Sequence, residues 1–365
     1  MLRVLHIFHN MGNGGVENFA MNYYRFIDKE KIQFDFLTSV EEDGFFDQEI
    51  QSLGGRIFRA YPKRKNPIRN FFDIVKIVKN NEYIIIHRHT GNSISNIDLL
   101  AAKVGGAHAI ISHSHAVQAG KKWLHYLSKV IFNVKCEKYA CSNAAGEWLF
   151  GKRAVTNNEV HIIPNAIDAE KFRYDSKKRE VLRKTYCVEN NLVVGHVGSF
   201  TSVKNHEFAI EIFAEIKKKN KNAVLWLIGE GILKTQIEKK VKELNLDDKV
   251  VFWGNRQDVA DLMQAMDKFL FPSLHEGMGI VAIEAQCAGL PCYVSADVVP
   301  LEVDVTKSVQ FISLKDSAKQ WAENILRDKP NQERLEGYRK IKQAGFDIRD
   351  AVRDLEQRYL TYAKQ

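Results

Sequence analysis

What most constrains this chain is an alternation that runs its whole length. Short apolar runs recur, and each is followed by a stretch with apolar residues at helical spacing. The runs are RVLHIF (3–8), FDFLT (34–38), YIIIH (83–87), AIISHS (109–114) and KYACS (138–142), then LVVGHV (192–197), AVLWLIG (223–229), KVVFWG (249–254), KFLF (268–271) and PCYVS (291–295). Helix-period stretches lie between them at 16–28, 67–80, 94–104, 204–219, 231–244, 256–266 and 280–288. Several runs are apolar at nearly every position, as strands must be when a parallel sheet is covered on both faces. Strand and helix in turn imply right-handed βαβ units.

The rhythm breaks once, at HIIPNAIDAEKFRYDSKKRE (161–180), and restarts at LVVGHVGSF. A chain of 365 residues is long for one hydrophobic core. The expectation is therefore α/β, with two doubly wound, Rossmann-like parallel-sheet domains facing a cleft, at 1–180 and 181–345. The tail 346–365 carries Ile348, Val352, Leu355 and Tyr359 at helical spacing. It predicts an amphipathic helix that packs back toward the N-terminal domain.

No apolar run approaches the roughly 18 residues that span a bilayer. The opening MLRVLHIFHN reads as a first strand rather than a signal peptide, which points to a cytoplasmic protein. The five cysteines, at 136, 141, 187, 287 and 292, are odd in number and lack C-x-x-C spacing. Buried free thiols in a reducing compartment are expected. The net charge of +8 is partly local, since residues 56–79 hold eight Arg or Lys. No nucleic-acid motif accompanies them, leaving a solvated surface or contact with an anionic membrane. The stretch KKWLHYLSKVIFNVK (121–135) puts Trp123, Leu124, Leu127, Val130 and Ile131 on one face, for core packing or for lipid.

In open α/β sheets, ligands bind beyond the carboxyl ends of the strands. Three motifs sit there. FHNMGNGGVENFA (8–20) is a glycine-rich loop whose Gly12, Gly14 and Gly15 precede a helix N-terminus, where a phosphate can bind. It lacks the full dinucleotide fingerprint. HVGSFTSVKNHE (196–207) repeats the plan, with Lys204 at the opening of a helix. A lysine there can meet a phosphate as a point charge.

FPSLHEGMGIVAIEAQCAGLP (271–291) says most. Glu276 lies in a loop kept irregular by Gly277 and Gly279, and a helix is expected from about Gly279, placing Glu284 one and a half turns in. The amides of Met278, Gly279 and Ile280 are then free for a diphosphate. One carboxylate can take the hydroxyls of a sugar and the other those of a ribose.

With these pieces in place, the chain resembles glycosyltransferase family 4, of the retaining kind and the GT-B fold used in capsule and exopolysaccharide synthesis. The matching pieces are GNGGVE, SHSHA, IPNAID, GHVGSFTSVKNH, LIGEG, VVFWGNRQDV and the 271–291 motif, in the family's order. The resemblance implies a nucleotide-diphosphate sugar as donor, UDP-linked, and a glycan or polyprenyl-diphosphate-linked acceptor, with no cofactor and no metal. It implies that Glu284 holds the donor ribose and Glu276 the transferred sugar. Lys204 and the amides at 278–280 would neutralise the diphosphate, and Gly14 and Gly15 would admit the phosphates to the first domain. The loop Gly254, Asn255, Arg256 would lie beside the nucleobase. His115 matches the family's histidine near the reacting sugar. The family usually has arginine where this chain has Ser199, so one expected cation is missing, with Arg256 a candidate substitute. Ala166 stands where glycine is commoner.

His9 ends the first strand, while His87, His89, His113 and His115 end two more. His9, His87, His89 and His113 are expected to face the cleft and position an acceptor. Two His-x-His pairs can also bring nitrogen ligands together, but no carboxylate accompanies them. Two other readings are a non-catalytic nucleotide-sugar binder and a nicotinamide-dependent oxidoreductase. The second leaves the 275–289 motif unexplained.

Overall fold

The computed structural model describes residues 1–12, 14–115, 134–296, 298–327 and 333–364. Most of the amphipathic stretch 121–135 lies outside them. The chain forms two compact units, Met1–Ala166 with Ile348–Gln365, and Ile167–Asp347.

The first unit is built on seven parallel strands, β1 Leu2–Ile7, β2 Ile32–Thr38, β3 Ile57–Arg59, β4 Ile85–Thr90, β5 Ala109–Ser114, β6 Glu137–Ala140 and β7 Val160–Ile162. Their order is β3-β2-β1-β4-β5-β6-β7, so the winding reverses between β1 and β4. Alternate residues serve opposite faces. Val4, Phe34, Ile85 and Ile111 pack under the helix Gly15–Phe26 and the tail helix Ile348–Tyr362. Leu5, Ile7, Leu37 and Ile86 pack under the helices Pro67–Asn80 and Asn96–Val104. The tail is held by its apolar stripe, with Ile348, Val352, Leu355 and Tyr359 all buried in this core.

The second unit has six parallel strands, β8 Leu192–Val197, β9 Ala223–Ile228, β10 Val250–Gly254, β11 Lys268–Phe271, β12 Cys292–Ser295 and β13 Val309–Ile312, ordered β10-β9-β8-β11-β12-β13. Its switch point lies between β8 and β11. Both sheets are thus doubly wound.

The division falls at Ala166, not at 180. Ala169 and Phe172 are buried in the second unit's core. The helix Ser176–Thr185 is also tied to that unit, because Arg183 donates to the Ala265 carbonyl at 2.7 Å and to Asp267 at 3.0 Å. Of the charges that make the stretch read as a connection, Lys177 and Lys178 lie on the exposed face of that helix. The sequence also passes over β3, β7 and β13, which have three or four residues each and are mostly half-exposed. Runs that short carry too little periodicity to register. All five cysteines are free, with only Cys187 exposed. No helix among the described residues is long and apolar enough to cross a membrane.

Candidate active site

The second unit brings its two strongest motifs together at the β8/β11 switch point. After β8, Gly198 N donates to Ile228 O and Phe200 N to Glu230 O, both at 2.9 Å. This lays the loop against the turn that follows β9. Gly229 and Gly231 of LIGEG make that approach feasible, since a Cβ at Gly229 would lie 2.1 Å from Gly198 O and one at Gly231 2.5 Å from Phe200 O. The chain then makes a short turn, Ser202–Lys204, and Asn205 takes a left-handed φ of 55° to start the helix His206–Lys219. Asn205 Nδ2 donates to Pro272 O at 3.0 Å, and Leu274 N donates to Val203 O at 2.8 Å. The loops after two adjacent strands are thereby stitched to each other.

The stitching sets one ion pair. Lys204 Nζ lies 2.6 Å from Glu276 Oε1 and 5.0 Å from the centre of the Phe271 ring. Both side chains are largely covered, with relative exposures of 22% and 9%. Two residues singled out separately from sequence therefore form one ion pair.

Gly279, at φ 74°, ends the loop and caps the helix Ile280–Cys287. That conformation suits glycine and few other residues. The helix starts at Ile280, so Glu284 stands about one turn in. First-turn amides have no helical acceptor, which leaves those around Gly279 and Ile280 available to an anion beside Lys204. Met278 anchors the turn through a side chain buried in the core. A Cβ at Gly277 would meet nothing within 4 Å, so no protein packing requires a glycine there. Burial pushes the half-buried Glu284 carboxyl up to about 7, against a weaker downward pull from Lys171. Lys171 was not foreseen; it stands in the segment read from sequence as a connection.

Ser199 and Asn255 are exposed on their loops. Arg256 is gripped by Asp258 through two bonds of 2.7 and 2.5 Å and lies over the Trp253 ring. Its charge is answered inside its own loop by Asp258.

In the first unit, Gly14 and Gly15 are exposed at the start of the helix Gly15–Phe26. A Cβ at Gly15 would meet nothing within 4 Å, and its φ is not of the kind that needs glycine. His9 is exposed beyond β1, with its imidazole pushed down by partial burial and by Arg64, Arg88 and Lys63. His115 follows β5 and is half-buried.

The remaining histidines are a correction. His87, His89 and His113 are buried, at 0%, 3% and 0% exposure, and are not placed to touch an acceptor. β4 runs on to Thr90, so His87 and His89 are inside the strand rather than at its end. Their ring nitrogens are also occupied, His87 by Tyr359 Oη at 2.5 Å and His113 Nδ1 at 2.9 Å, and His89 by His6 at 3.0 Å and His115 at 2.9 Å. Neither His6 nor Tyr359 was singled out from sequence.

Residues 13–171 match the family model described as Glycosyltransferase Family 4, and residues 177–345 match Glycosyl transferases group 1. A Bacillus subtilis (strain 168) protein named glycosyltransferase EpsF is 34% identical over 371 residues, spanning 96% of this chain and 94% of that protein. The chain belongs to glycosyltransferase family 4. This transferase is also 26% identical to an Escherichia coli protein named UDP-Gal:alpha-D-GlcNAc-diphosphoundecaprenol alpha-1,3-galactosyltransferase, over 77% of this chain and 76% of that one. Its fold matches the crystal structure of Anabaena Alr3699/HepE in complex with UDP, at TM-score 0.79 and 17% identity, covering 99% and 100% of the two chains. The transferase is thus of the GT-B class, and the two doubly wound sheets read from sequence are those of that fold.

Proposed function

We propose that the transferase moves a sugar from a UDP-sugar, with retention at the anomeric carbon, to a glycan carried on a polyprenyl diphosphate during surface-polysaccharide synthesis. The observation that carries the donor side is the Lys204–Glu276 pair, set beside the free amides of a helix start at the switch point. In this reading Lys204 and the amides of Met278, Gly279 and Ile280 take the diphosphate. Glu276 meets the transferred sugar and Glu284 the ribose hydroxyls. Gly254 and Asn255 lie along the base, Gly14 and Gly15 admit the phosphates to the first unit, and His115 stands by the reacting sugar.

The bond between the anomeric carbon and the phosphate oxygen stretches toward an oxocarbenium ion. Negative charge grows on the leaving diphosphate, where fixed amides and an ammonium are worth most. The acceptor hydroxyl attacks from the same face, and the departing phosphate oxygen takes its proton. No enzyme nucleophile and no metal enters this route. The Escherichia coli relative, named for a UDP-linked donor and a diphosphoundecaprenol acceptor, and the Anabaena structure, solved with UDP, favour UDP and a lipid diphosphate. Release of nucleoside diphosphate across a panel of uridine- and guanosine-linked sugars tests the donor, and the anomeric proton coupling of the product tests retention. Release from guanosine-linked sugars alone, or an inverted product, would overturn the corresponding part.

The basic stretch 56–79 supports contact with an anionic membrane. Part of it is neutralised, since Arg59 meets Asp43 and Asp47, Lys63 meets Asp98, and Lys65 meets Glu41. The helix Pro67–Asn80, however, exposes Ile68 at 70% and Phe72 at 61% beside exposed Arg69, Lys76 and Lys79. Apolar groups among cations suit an anionic bilayer surface. Co-sedimentation with phosphatidylglycerol vesicles, lost in Ile68→Ser/Phe72→Ser, is the expected result; no sedimentation of the wild type would remove the idea.

A further inference from the structure

Five histidines of the first unit lie together on the sheet face that carries Val4 and Phe8. His6 comes from β1, His87 and His89 from β4, His113 from β5 and His115 from just beyond it. They form two hydrogen-bonded rows. One runs from Tyr359 through His87 to His113. The other runs from His6 Nδ1 to His89 Nε2, at 3.0 Å, and from His89 Nδ1 to His115 Nε2, at 2.9 Å.

Two groups in this cluster, His6/His87/His89 and His89/His113/His115, are close enough to suggest a metal site. The ring geometry favours hydrogen bonds instead. His6 and His89 have centroids 5.3 Å apart and planes only 14° apart, with the facing nitrogens at 3.0 Å. The rings therefore meet head to head in nearly one plane. A metal needs lone pairs converging on a point about 2.0–2.1 Å from each nitrogen, and rings aimed at each other offer none.

All five rings are neutral. Burial pushes His6 and His115 down to about 3, and burial with the neighbouring histidines holds His87, His89 and His113 well below the usual imidazole range. A neutral imidazole has one donor and one acceptor. The three-ring row then has only two consistent proton arrangements. If His89 is protonated on Nε2, then His6 carries its proton on Nε2 and His115 presents a bare Nδ1. If His89 is protonated on Nδ1, then His6 Nε2 is bare and His115 presents Nδ1–H. His6 Nε2 is buried without a partner beside the Phe34 ring, whose centre is 4.0 Å from that of His6. A buried orphan N–H is rarer than an under-used acceptor, which selects the second arrangement.

We propose that His6 and His89 are positioning residues that hold His115 in one tautomer and one orientation, with its Nδ1–H as the group offered to a bound sugar oxygen. The use of that N–H rests on the function proposed above; the tautomer does not. The test is a two-bond proton–nitrogen correlation spectrum of the full chain labelled with nitrogen-15 histidine. The expected result is His115 wholly in the Nδ1–H form, and both tautomers populated in His89→Phe, which removes the group facing His115 Nε2, with the His87–His113 row as in the wild type. For UDP-sugar turnover, kcat in His89→Phe falls several-fold, with KM unchanged. His89→Gln, whose amide can donate to His115 Nε2 and accept from His6 Nδ1–H, restores most of it. An Nε2–H or mixed His115 in the wild type would overturn the proposal, as would one equivalent of zinc in the purified protein. The wild-type spectrum decides even if His89→Phe fails to fold. A single Nδ1–H tautomer with no turnover of any UDP-sugar would keep this inference and sink the donor assignment.

Discussion

Lys204 Nζ stands 2.6 Å from Glu276 Oε1, although the two residues are 72 positions apart. With no ligand the lysine's charge is spent on the acid. A diphosphate must share or take it. Glu276→Ala is therefore expected to bind UDP at least as tightly as the wild type, while Lys204→Ala binds it about tenfold more weakly, the worth of one charged hydrogen bond. Both should cut sugar transfer by at least about tenfold. Calorimetry of UDP binding checks the opposite signs. Equal weakening in the two variants would mean that the pair is structural.

The raised Glu284 carboxyl makes two predictions that run in opposite directions with pH. The folded protein holds this proton up to about 7, against an ordinary value of 4.5. Stability from this group is complete below 4.5 and is lost as pH rises to 7. Ribose hydroxyls, in contrast, donate best to the ionised carboxylate, so UDP affinity should climb between about pH 6 and about pH 8. Glu284→Gln should flatten both curves and lower transfer by at least about tenfold. Thermal unfolding and UDP titration over that range measure them, and an unchanged pH slope in Glu284→Gln would remove the assignment.

Gly15 separates a ligand's demand from the fold's. Alanine fits its φ and meets no neighbouring atom, and by narrowing the unfolded chain's freedom it favours the fold by about 0.4–1 kcal/mol. Gly15→Ala is expected to keep or raise Tm and yet reduce transfer several-fold. Wild-type transfer would show that nothing approaches the backbone there.

Gly229 should behave in the reverse way. Its φ of 139° and the 2.1 Å approach of Gly198 O forbid a side chain. Gly229→Ala should unstitch the loop after β8 from that after β9, costing about 2 kcal/mol or more from backbone strain alone. A lower Tm together with lost UDP binding is expected, and a Tm equal to that of the wild type would contradict it.

Much of this was legible along the chain. The strands that sit inside each sheet are mostly buried and apolar, and nearly all were read within two residues of their bounds. The edge strands β3, β7 and β13 escaped because half-exposed segments of three or four residues have no pattern to read. In the site, Lys204, Glu276 and Glu284 announced themselves through the glycines around them. Glu284's neighbour did not, because Lys171 looks like any surface charge until the fold brings it near that carboxyl.

The histidines mark the boundary most clearly. HRH and HSH look like the polar ends of strands, and polar residues in strands are normally exposed. Here they are buried because each imidazole answers the next, and because Tyr359, 272 positions from His87, closes one row. Local composition and periodicity therefore determined which segments become strands and helices, and where glycine lets a backbone approach an anion. Which side chains pair across those segments was decided only by tertiary structure, because a buried polar group is tolerable or costly according to partners that lie far away in the chain.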